Sequence, residues 1–252
     1  GEELAAETQE PLFPSIAATV DQLEKLTLDR GLQVHLPVVG ERSGSVLMPL
    51  DIEIFLAAEN YKLYTDQAAQ KQLFKQMVPA MRFVEDLFHS KGLPYLLDYT
   101  PSGCHLLFQN MMGTRATEEL RKIGFVEDDL IKACNYIDPH DIRRWYGISL
   151  DAAQVFNGLG KLAEYIGLLA MKNFQGNEAA GLLPVTISDS AERCINFDNT
   201  WSEGSPFMRA IRSPFSLHKK NQEKYGNYHQ PPLVDVIGSC FDGQRATEPP
   251  DI

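Results

Sequence analysis

Cysteine is scarce in this sequence, and its pattern excludes two classes of protein. The four cysteines form no C-x-x-C pair, which excludes a zinc ribbon. A disulfide framework is typical of much smaller secreted domains, so we expect reduced thiols and a cytoplasmic location. No apolar run approaches the roughly 20 residues that a membrane helix requires, so we expect no membrane partner.

Positive charge is also in short supply. The formal net charge of the 252-residue chain is −11. Phosphate neutralisation dominates nucleic-acid binding, so a protein whose whole surface grips nucleic acid is excluded. A local basic groove is still compatible with this composition, because the distribution of charge matters more than its sum.

The sequence shows no internal repeat and no interdomain linker. Hydrophobic residues make up 44% of it, enough for a sizeable core. Strands and helices alternate without a steady βαβ rhythm, which predicts an α+β fold with a mixed or antiparallel sheet and flanking helices. We expect a loose arm over residues 1–15, one compact domain over 16–230 and an extended tail over 231–252.

Hydrophobic periodicity locates the elements of this fold. The turn at residues 41–45 joins the first two predicted strands as a hairpin, and a short turn joins the last two. Pro214 limits any helix in the segment 206–216. The predicted strands are Leu32–Val39, Val46–Phe55, Leu93–Asp98, Cys104–Gln109, Val185–Ser188 and Cys194–Asp198. The predicted helices are Thr19–Thr27, Asp66–Ser90, Thr117–Ile123, Asp128–Asn135 and Leu150–Lys172.

The first segment with candidate functional residues is Asp51-Ile52-Glu53, within the second predicted strand. Residues two apart on a strand share a face and lie about 6.5 Å apart along it, so Asp51 and Glu53 are neighbours. Buried carboxylates need a cation or basic neighbours. Acidic pairs are common on solvated strand faces, but the apolar flanks of this pair indicate a central strand.

The second segment runs from Asp98 to Phe108, where a Pro-Ser-Gly turn delivers a histidine to the start of an apolar strand. Ser102 and Gly103 could offer a hydroxyl and backbone N–H groups to an anion, and His105 could donate to a phosphate oxygen. The alternative is a half-buried histidine that donates to a backbone carbonyl. A hydrolase triad of Asp98, Ser102 and His105 is rejected, because no G-x-S-x-G elbow is present.

The third segment, residues 208–220, concentrates cations in a strongly acidic protein. Arginine offers a fork of donors to phosphate oxygens, and lysine a mobile point charge. A solvated basic turn explains Lys219 and Lys220, but it explains less well the arginines among apolar residues. Just upstream, Asp198 ends a predicted strand as a candidate third carboxylate, with Asp189 and Glu203 as rivals.

The three segments in this order resemble the catalytic core of the archaeo-eukaryotic primase superfamily, which includes primase small subunits and primase-polymerases. That family carries an acid-x-acid strand, a Ser/Gly-x-His strand, an Asp, and then a segment Arg-x-Pro-x-Ser-x-His-x-Lys. The resemblance covers roughly residues 30–225. Gly103 rather than a serine lies two residues before His105, as it does in some members of the family, and the connection from Asp198 to the basic segment is longer than in several members.

The resemblance implies nucleotidyl transfer from an NTP or dNTP on a DNA or RNA template. Three acids would hold Mg²⁺ or Mn²⁺ in a two-metal site, and a second set of residues would bind the triphosphate. A mostly acidic surface grips a template poorly, so a helicase or accessory domain supplied in trans is a further expected partner. The metal ligands would be Asp51, Glu53 and Asp198, and the nucleotide-binding residues Ser102, Gly103, His105, Arg212, Ser216, His218 and Lys220.

Two alternatives to this function stay open. One is a nucleotide-binding or regulatory protein that keeps the same fold but has reduced catalysis. The other is a metal-dependent nuclease or phosphohydrolase, which would use the same acids to cleave rather than extend a chain.

Overall fold

The computed structural model describes residues 21–22, 25, 35–40, 44–56, 67–100, 102–129, 148–187, 193–200, 209–212 and 235–239. Within these ranges lie nine strands, three α-helices and one short 3-10 helix, Glu178–Ala180. The strands are β1 His35–Pro37, β2 Val39–Gly40, β3 Ser45–Phe55, β4 Leu96–Thr100, β5 Gly103–Met111, β6 Val185–Thr186, β7 Cys194–Asp198, β8 Ala210–Arg212 and β9 Asp235–Ser239. The helices are α1 Gln67–Ser90, α2 Arg115–Ile123 and α3 Leu150–Asn173.

The chain divides into two compact units whose boundaries fall inside β3, β5 and α3. The predicted domain bounds 1–15, 16–230 and 231–252 stay a prediction. The first unit consists of Gly1–Met48, Gln109–Lys161 and Trp201–Val234, and the second of Pro49–Phe108, Leu162–Thr200 and Asp235–Ile252.

The second unit is built on a sheet with the strand order β6-β7-β3-β5-β4-β9. Strand β7 is antiparallel to β3, and β4 is antiparallel to both β5 and β9. Strand β6 is parallel to β7, which makes the sheet mixed. The predicted α+β class with a mixed sheet and flanking helices is therefore confirmed.

One face of this sheet is apolar and lies against helices. Ile52 is buried opposite Phe197, and a Cβ on Gly167 of α3 would lie 3.3 Å from the Cβ of Phe197. On β4, the ring of Tyr99 packs at a tilt against that of Phe74 of α1, with 5.9 Å between ring centroids. Because side chains alternate along a strand, the intervening residues of these strands lie on the opposite face.

Helix α1 also buries one carboxylate, that of Glu85. It has no exposed surface, yet both of its oxygens have partners. Arg82 Nη1 lies 2.6 Å from Glu85 Oε2, and the Tyr95 hydroxyl donates to Oε1 at 2.7 Å. A buried charge with two such partners is the usual way in which proteins tolerate a charge in the interior.

The described part of the first unit contains two strand pairs and a helix pair. Strands β1 and β8 pair antiparallel, with His35 opposite Arg212. Strand β2 pairs antiparallel with the start of β3, which confirms the predicted hairpin. Helix α2 lies against α3 at Gly158, where a Cβ would collide with the Leu120 carbonyl oxygen.

Several predicted elements differ from the observed ones. The predicted strand Leu32–Val39 is two strands, because β1 pairs with β8 and β2 with β3. The predicted strand Leu93–Asp98 is shifted to β4, Leu96–Thr100. In the predicted tail, β9 pairs with β4. The predicted helices Thr19–Thr27 and Asp128–Asn135 lie largely outside the described residues.

Candidate metal and nucleotide site

Strand β3 presents the two acids of the first segment on one face. Asp51 and Glu53 are half-buried, whereas Ile52 between them is fully buried on the face against the helices. On β7, Asp198 stands directly opposite Asp51. Residues directly opposite in an antiparallel pair have Cβ atoms about 4.5–5.5 Å apart, so the pairing register makes Asp51 and Asp198 neighbours.

The register therefore places Asp198, the candidate third acid, next to the acidic pair. Its Oδ1 accepts a hydrogen bond from the Thr200 backbone N–H at 2.7 Å, which orients the carboxylate at the end of β7. The rival acids Asp189 and Glu203 lie outside the described residues. The metal-ligand roles of the three acids stay a prediction.

The second segment reaches β3 through Gly103, at the start of β5. A Cβ at this position would lie 2.9 Å from Glu53 Cα and would collide with the Ile52 carbonyl oxygen. The preceding residue, Ser102, accepts a hydrogen bond from Ile54 N–H through its carbonyl at 2.7 Å. Only glycine fits a backbone approach this close, so Gly103 sets the position of His105 relative to Asp51.

His105 lies between two carboxylates. Its Nε2 is 3.4 Å from Asp51 Oδ2, and its Nδ1 is 2.8 Å from Asp98 Oδ1. Asp98 stands directly opposite His105 across the β4–β5 pair. The Nδ1–H does not point along the line to that oxygen, so the contact is an ion pair rather than a well-aligned hydrogen bond.

Burial and charge act on His105 in opposite directions. Only 6% of the residue is exposed, and this burial lowers its pKa. The carboxylates of Asp51 and Asp98 outweigh the burial and hold the pKa well above its ordinary value of 6.5. The two carboxylates therefore favour the protonated, positively charged form of His105.

Four side chains thus form a row across four neighbouring strands: Asp198 on β7, Asp51 on β3, His105 on β5 and Asp98 on β4. We call this the acid–histidine row. It carries three acids and one cation, and Glu53 lies beside it on β3. A site with excess negative charge favours a cationic ligand.

Buried acceptors without a partner belong to the same face of the sheet. Among the described residues, Asp51 Oδ1, Asp98 Oδ2, Thr100 Oγ1 and Asn196 Oδ1 are buried and accept no hydrogen bond. Asn196 stands directly opposite Glu53 and is only 2% exposed. Because buried polar groups nearly always have partners, these acceptors mark a place where a ligand could supply the missing donors or charge.

The oxygen atoms on this face of the sheet suit a hard divalent cation. Carboxylate and amide oxygens are the ligands that Mg²⁺ and Mn²⁺ prefer, and the unpartnered Asp51 Oδ1 fits such an ion. No group of three or more His, Cys, Asp or Glu side chains within the described ranges is arranged to hold a metal ion. Asp51 Oδ2 instead faces His105, and the two-metal site stays a prediction.

Cys104, the residue before His105, has a side chain on the opposite, helix-covered face of the sheet. It is completely buried beside His105, on the face that lies against the helices. Burial and then the nearby Asp51 raise the pKa of its thiol well above the ordinary value. A protonated, inaccessible thiol is inert, so Cys104 is a packing residue.

The sequence interpretation gave no role to Asp98 or Asn196. Asp98 could have been found, because the close sequence spacing of β4 and β5 favours a hairpin in which Thr100 pairs with Gly103, and hence Asp98 with His105. Asn196 gave no such signal, because its pairing with Glu53 depends on the register between two strands that are distant in the chain.

Arg212, from the third segment, belongs to the first unit. It stands opposite His35 in the β1–β8 pair. Loss of water around the ring, and then the charge of Arg212, lower the pKa of His35 from 6.5 to about 4, although part of the residue is exposed. Ser216, His218 and Lys220 lie outside the described residues, so the nucleotide-binding role of the basic segment stays a prediction.

Comparisons with known proteins add no identity to this geometry. No protein-family model matches the chain, and no match is found among curated proteins or solved structures. None of the helices in the described ranges combines the length and the apolar character needed to cross a bilayer.

Proposed function

We propose that the protein is a metal-dependent nucleotidyltransferase of the primase-polymerase type, which adds nucleotides from an NTP or dNTP on a DNA or RNA template. The observation that supports this most is the acid–histidine row, which sets Asp198 opposite Asp51 and a buried histidine next to Asp51. A cytoplasmic location, and a helicase or accessory domain that helps to hold the template, are part of the same proposal.

In this proposal the acids and the histidine have separate tasks. Asp51, Glu53 and Asp198 would hold Mg²⁺ or Mn²⁺, whose charge helps the 3′-hydroxyl to attack and the pyrophosphate to depart. His105 carries a fixed positive charge and can donate Nε2–H to a phosphate oxygen in place of Asp51. Charge placed in advance where negative charge develops is the largest catalytic effect in many enzymes.

The remaining nucleotide-binding residues follow the same electrostatic logic. The Ser102–Gly103 turn approaches the backbone of β3 closely, so a phosphate held there would lie next to the acidic pair. Arg212, with Ser216, His218 and Lys220, would supply further donors to the triphosphate.

The test is a primer-extension and dinucleotide-synthesis assay with Mg²⁺ or Mn²⁺. Removal of even an outer partner of a metal ligand costs about 10–100-fold, so we expect Asp51→Asn and Glu53→Gln each to lower the rate by more than about 100-fold. Glu85→Gln is the matched control, because it also neutralises a buried carboxylate of the second unit but lies on α1. Full activity in both site variants would rule the proposal out.

A second candidate is a nucleotide-binding or regulatory protein of the same fold with little catalysis. The contact between His105 and Asp51 favours it, since it neutralises a carboxylate that a metal would need. Calorimetry separates the two candidates: tight nucleotide binding without nucleotide addition indicates the regulatory protein. Shortening of the labelled strand on the same gel would instead indicate a nuclease or phosphohydrolase.

A further inference from the structure

Asp98 is a completely buried carboxylate that the resemblance does not assign to any task. It has no exposed surface and lies at the β4 end of the acid–histidine row. An ionised carboxylate is costly to bury unless a partner compensates it. Its burial therefore requires an explanation.

Glu85 shows what a purely structural explanation looks like in the same unit. Both of its oxygens have partners, Arg82 and Tyr95, at hydrogen-bond distance. Asp98 has a single charged neighbour among the described residues, His105 Nδ1 at 2.8 Å, and its Oδ2 accepts no hydrogen bond there. The contact between Asp98 and His105 can orient the imidazole, but it leaves Asp98 Oδ2 without a hydrogen bond from the described residues.

We propose that Asp98 is the positioning residue for His105: it holds Nδ1 so that Nε2 is presented to Asp51 and, in the working enzyme, to a phosphate oxygen of the nucleotide. The phosphate end of this inference rests on the proposed function, whereas the Asp98–His105 contact does not. A carboxylate beside one imidazole nitrogen fixes the orientation of the ring, and with it the direction in which the other nitrogen points.

The backbone makes this arrangement rigid. The turn between β4 and β5 pairs Thr100 with Gly103, which places Asp98 directly opposite His105. Gly103 in turn lies against the backbone of β3. The imidazole thus lies between two acids on strands with a fixed register. Its Nε2–H can donate to a phosphate oxygen in place of Asp51 while Nδ1 stays in contact with Asp98. Hydrogen bonds of this kind are often poorly aligned until the substrate binds, as Nδ1–H is here.

The first test is an NMR spectrum of the full chain with ¹⁵N-labelled histidine, with the His105 signals assigned from a His105→Gln variant. We expect the wild-type Nδ1–H of His105 to exchange slowly with water. In Asp98→Asn this protection should be lost and the resonance should shift, while Glu85→Gln should leave both unchanged. An unchanged His105 signal in Asp98→Asn would overturn the inference.

The second test is the split between kcat and KM in the nucleotide-addition assay. Loss of an outer partner costs about 10–100-fold, so we expect Asp98→Asn to lower kcat by about 10-fold or more, with a smaller change in the nucleotide KM. Glu85→Gln should leave both unchanged. Equal kcat values in wild type and Asp98→Asn would contradict the positioning role.

The two tests separate this inference from the proposed function. If the wild-type protein adds no nucleotide, the proposed function fails, and the NMR spectrum alone decides whether Asp98 positions His105. If Asp98→Asn does not fold, the wild-type spectrum still decides, because a His105 Nδ1–H in fast exchange with water would contradict the contact.

Discussion

Two strand histidines, His35 in the first unit and His105 in the second, have pKa values that shift in opposite directions. Loss of water around the ring opposes protonation of both histidines, although only His105 is buried and His35 keeps an exposed surface. For His35 the neighbouring charge is the guanidinium of Arg212, which lowers the pKa further, to about 4. For His105 the neighbours are two carboxylates, which reverse the effect of burial.

The difference shows that the cross-strand neighbours of a histidine determine its chemistry. Each ring lies on a strand and directly opposite a charged residue in the pairing register. A neutral imidazole beside a cation can accept a hydrogen bond but adds no charge to an anion site. An imidazolium beside acids can donate to a phosphate, and this is the role that we propose for His105.

The largest effect on stability is expected from a substitution of Gly103, which positions His105 against β3. Gly103→Ala places a methyl group against the backbone of β3, which cannot yield as a side chain can. We expect the free energy of unfolding to fall by about 3 kcal/mol, measured by urea denaturation. Gly44→Ala is the control: it has open space but a φ of +58°, so strain alone should cost about 1 kcal/mol. Equal losses in the two variants would contradict the close β3–β5 contact.

The next largest effect is the pH dependence of stability, which should differ in sign between His105 and His35. Because the pKa of His105 is raised on folding, its contribution is complete below about pH 6.5 and is lost as pH rises through the folded pKa. The stability difference between wild type and His105→Gln should therefore shrink as pH rises above 6.5.

His35 should show the opposite sign. Its folded pKa is lowered to about 4, so wild type should lose stability relative to His35→Gln as pH falls from 6.5 towards 4. Urea denaturation across the pH range measures both trends. Differences that are flat with pH, or two trends of the same sign, would contradict the assigned surroundings.

A smaller effect is expected at Asn196, which shares the polar face with His105. Its buried Oδ1 accepts no hydrogen bond from the described residues, and valine is well suited to a strand. Asn196→Val should therefore raise the free energy of unfolding by about 1 kcal/mol. As a control, Asn110 on β5 donates to the Val46 carbonyl oxygen at 3.3 Å, so Asn110→Val should lower it by a similar amount. Destabilisation by Asn196→Val would show that the amide has a partner.

The smallest effect concerns the cation beside His35. Arg212→Met should raise the pKa of His35 only part of the way back to 6.5, because burial is the larger cause and Arg212 the smaller one. An NMR titration of the His35 ring measures the shift. A return to 6.5 would mean that the charge of Arg212, rather than burial, dominates.

Local features of the fold could be predicted from the sequence, and those of the site only in part. The alternation around Asp51 and Glu53 placed both acids on one face of β3, and the apolar stripe of α1 was evident. The pairing of β6 with β7 was not, because a short connection between two strands gives no sign that they run parallel. The β9–β4 pair joins distant parts of the chain, and periodicity carries no information about distant partners.

The acid–histidine row shows the same division. The Asp98–His105 contact follows from the pairing of Thr100 with Gly103, two residues that are close in the sequence, so it could be predicted. The position of Asp198 opposite Asp51 depends on the register of β7 against β3, which only the fold supplies. The raised pKa of His105 could not be predicted from the sequence either, because it depends on two acids from two different strands.

Strand β9 gives the fold an order of assembly. It covers the outer edge of β4, yet it follows β4 in the chain only after α2, α3 and four further strands. During synthesis from the N-terminus, the strand that carries Asp98 therefore emerges long before its neighbour. An uncovered strand edge pairs readily with other chains. A chain that ends before Asp235 would expose this edge beside the proposed site, so shortened products should self-associate there.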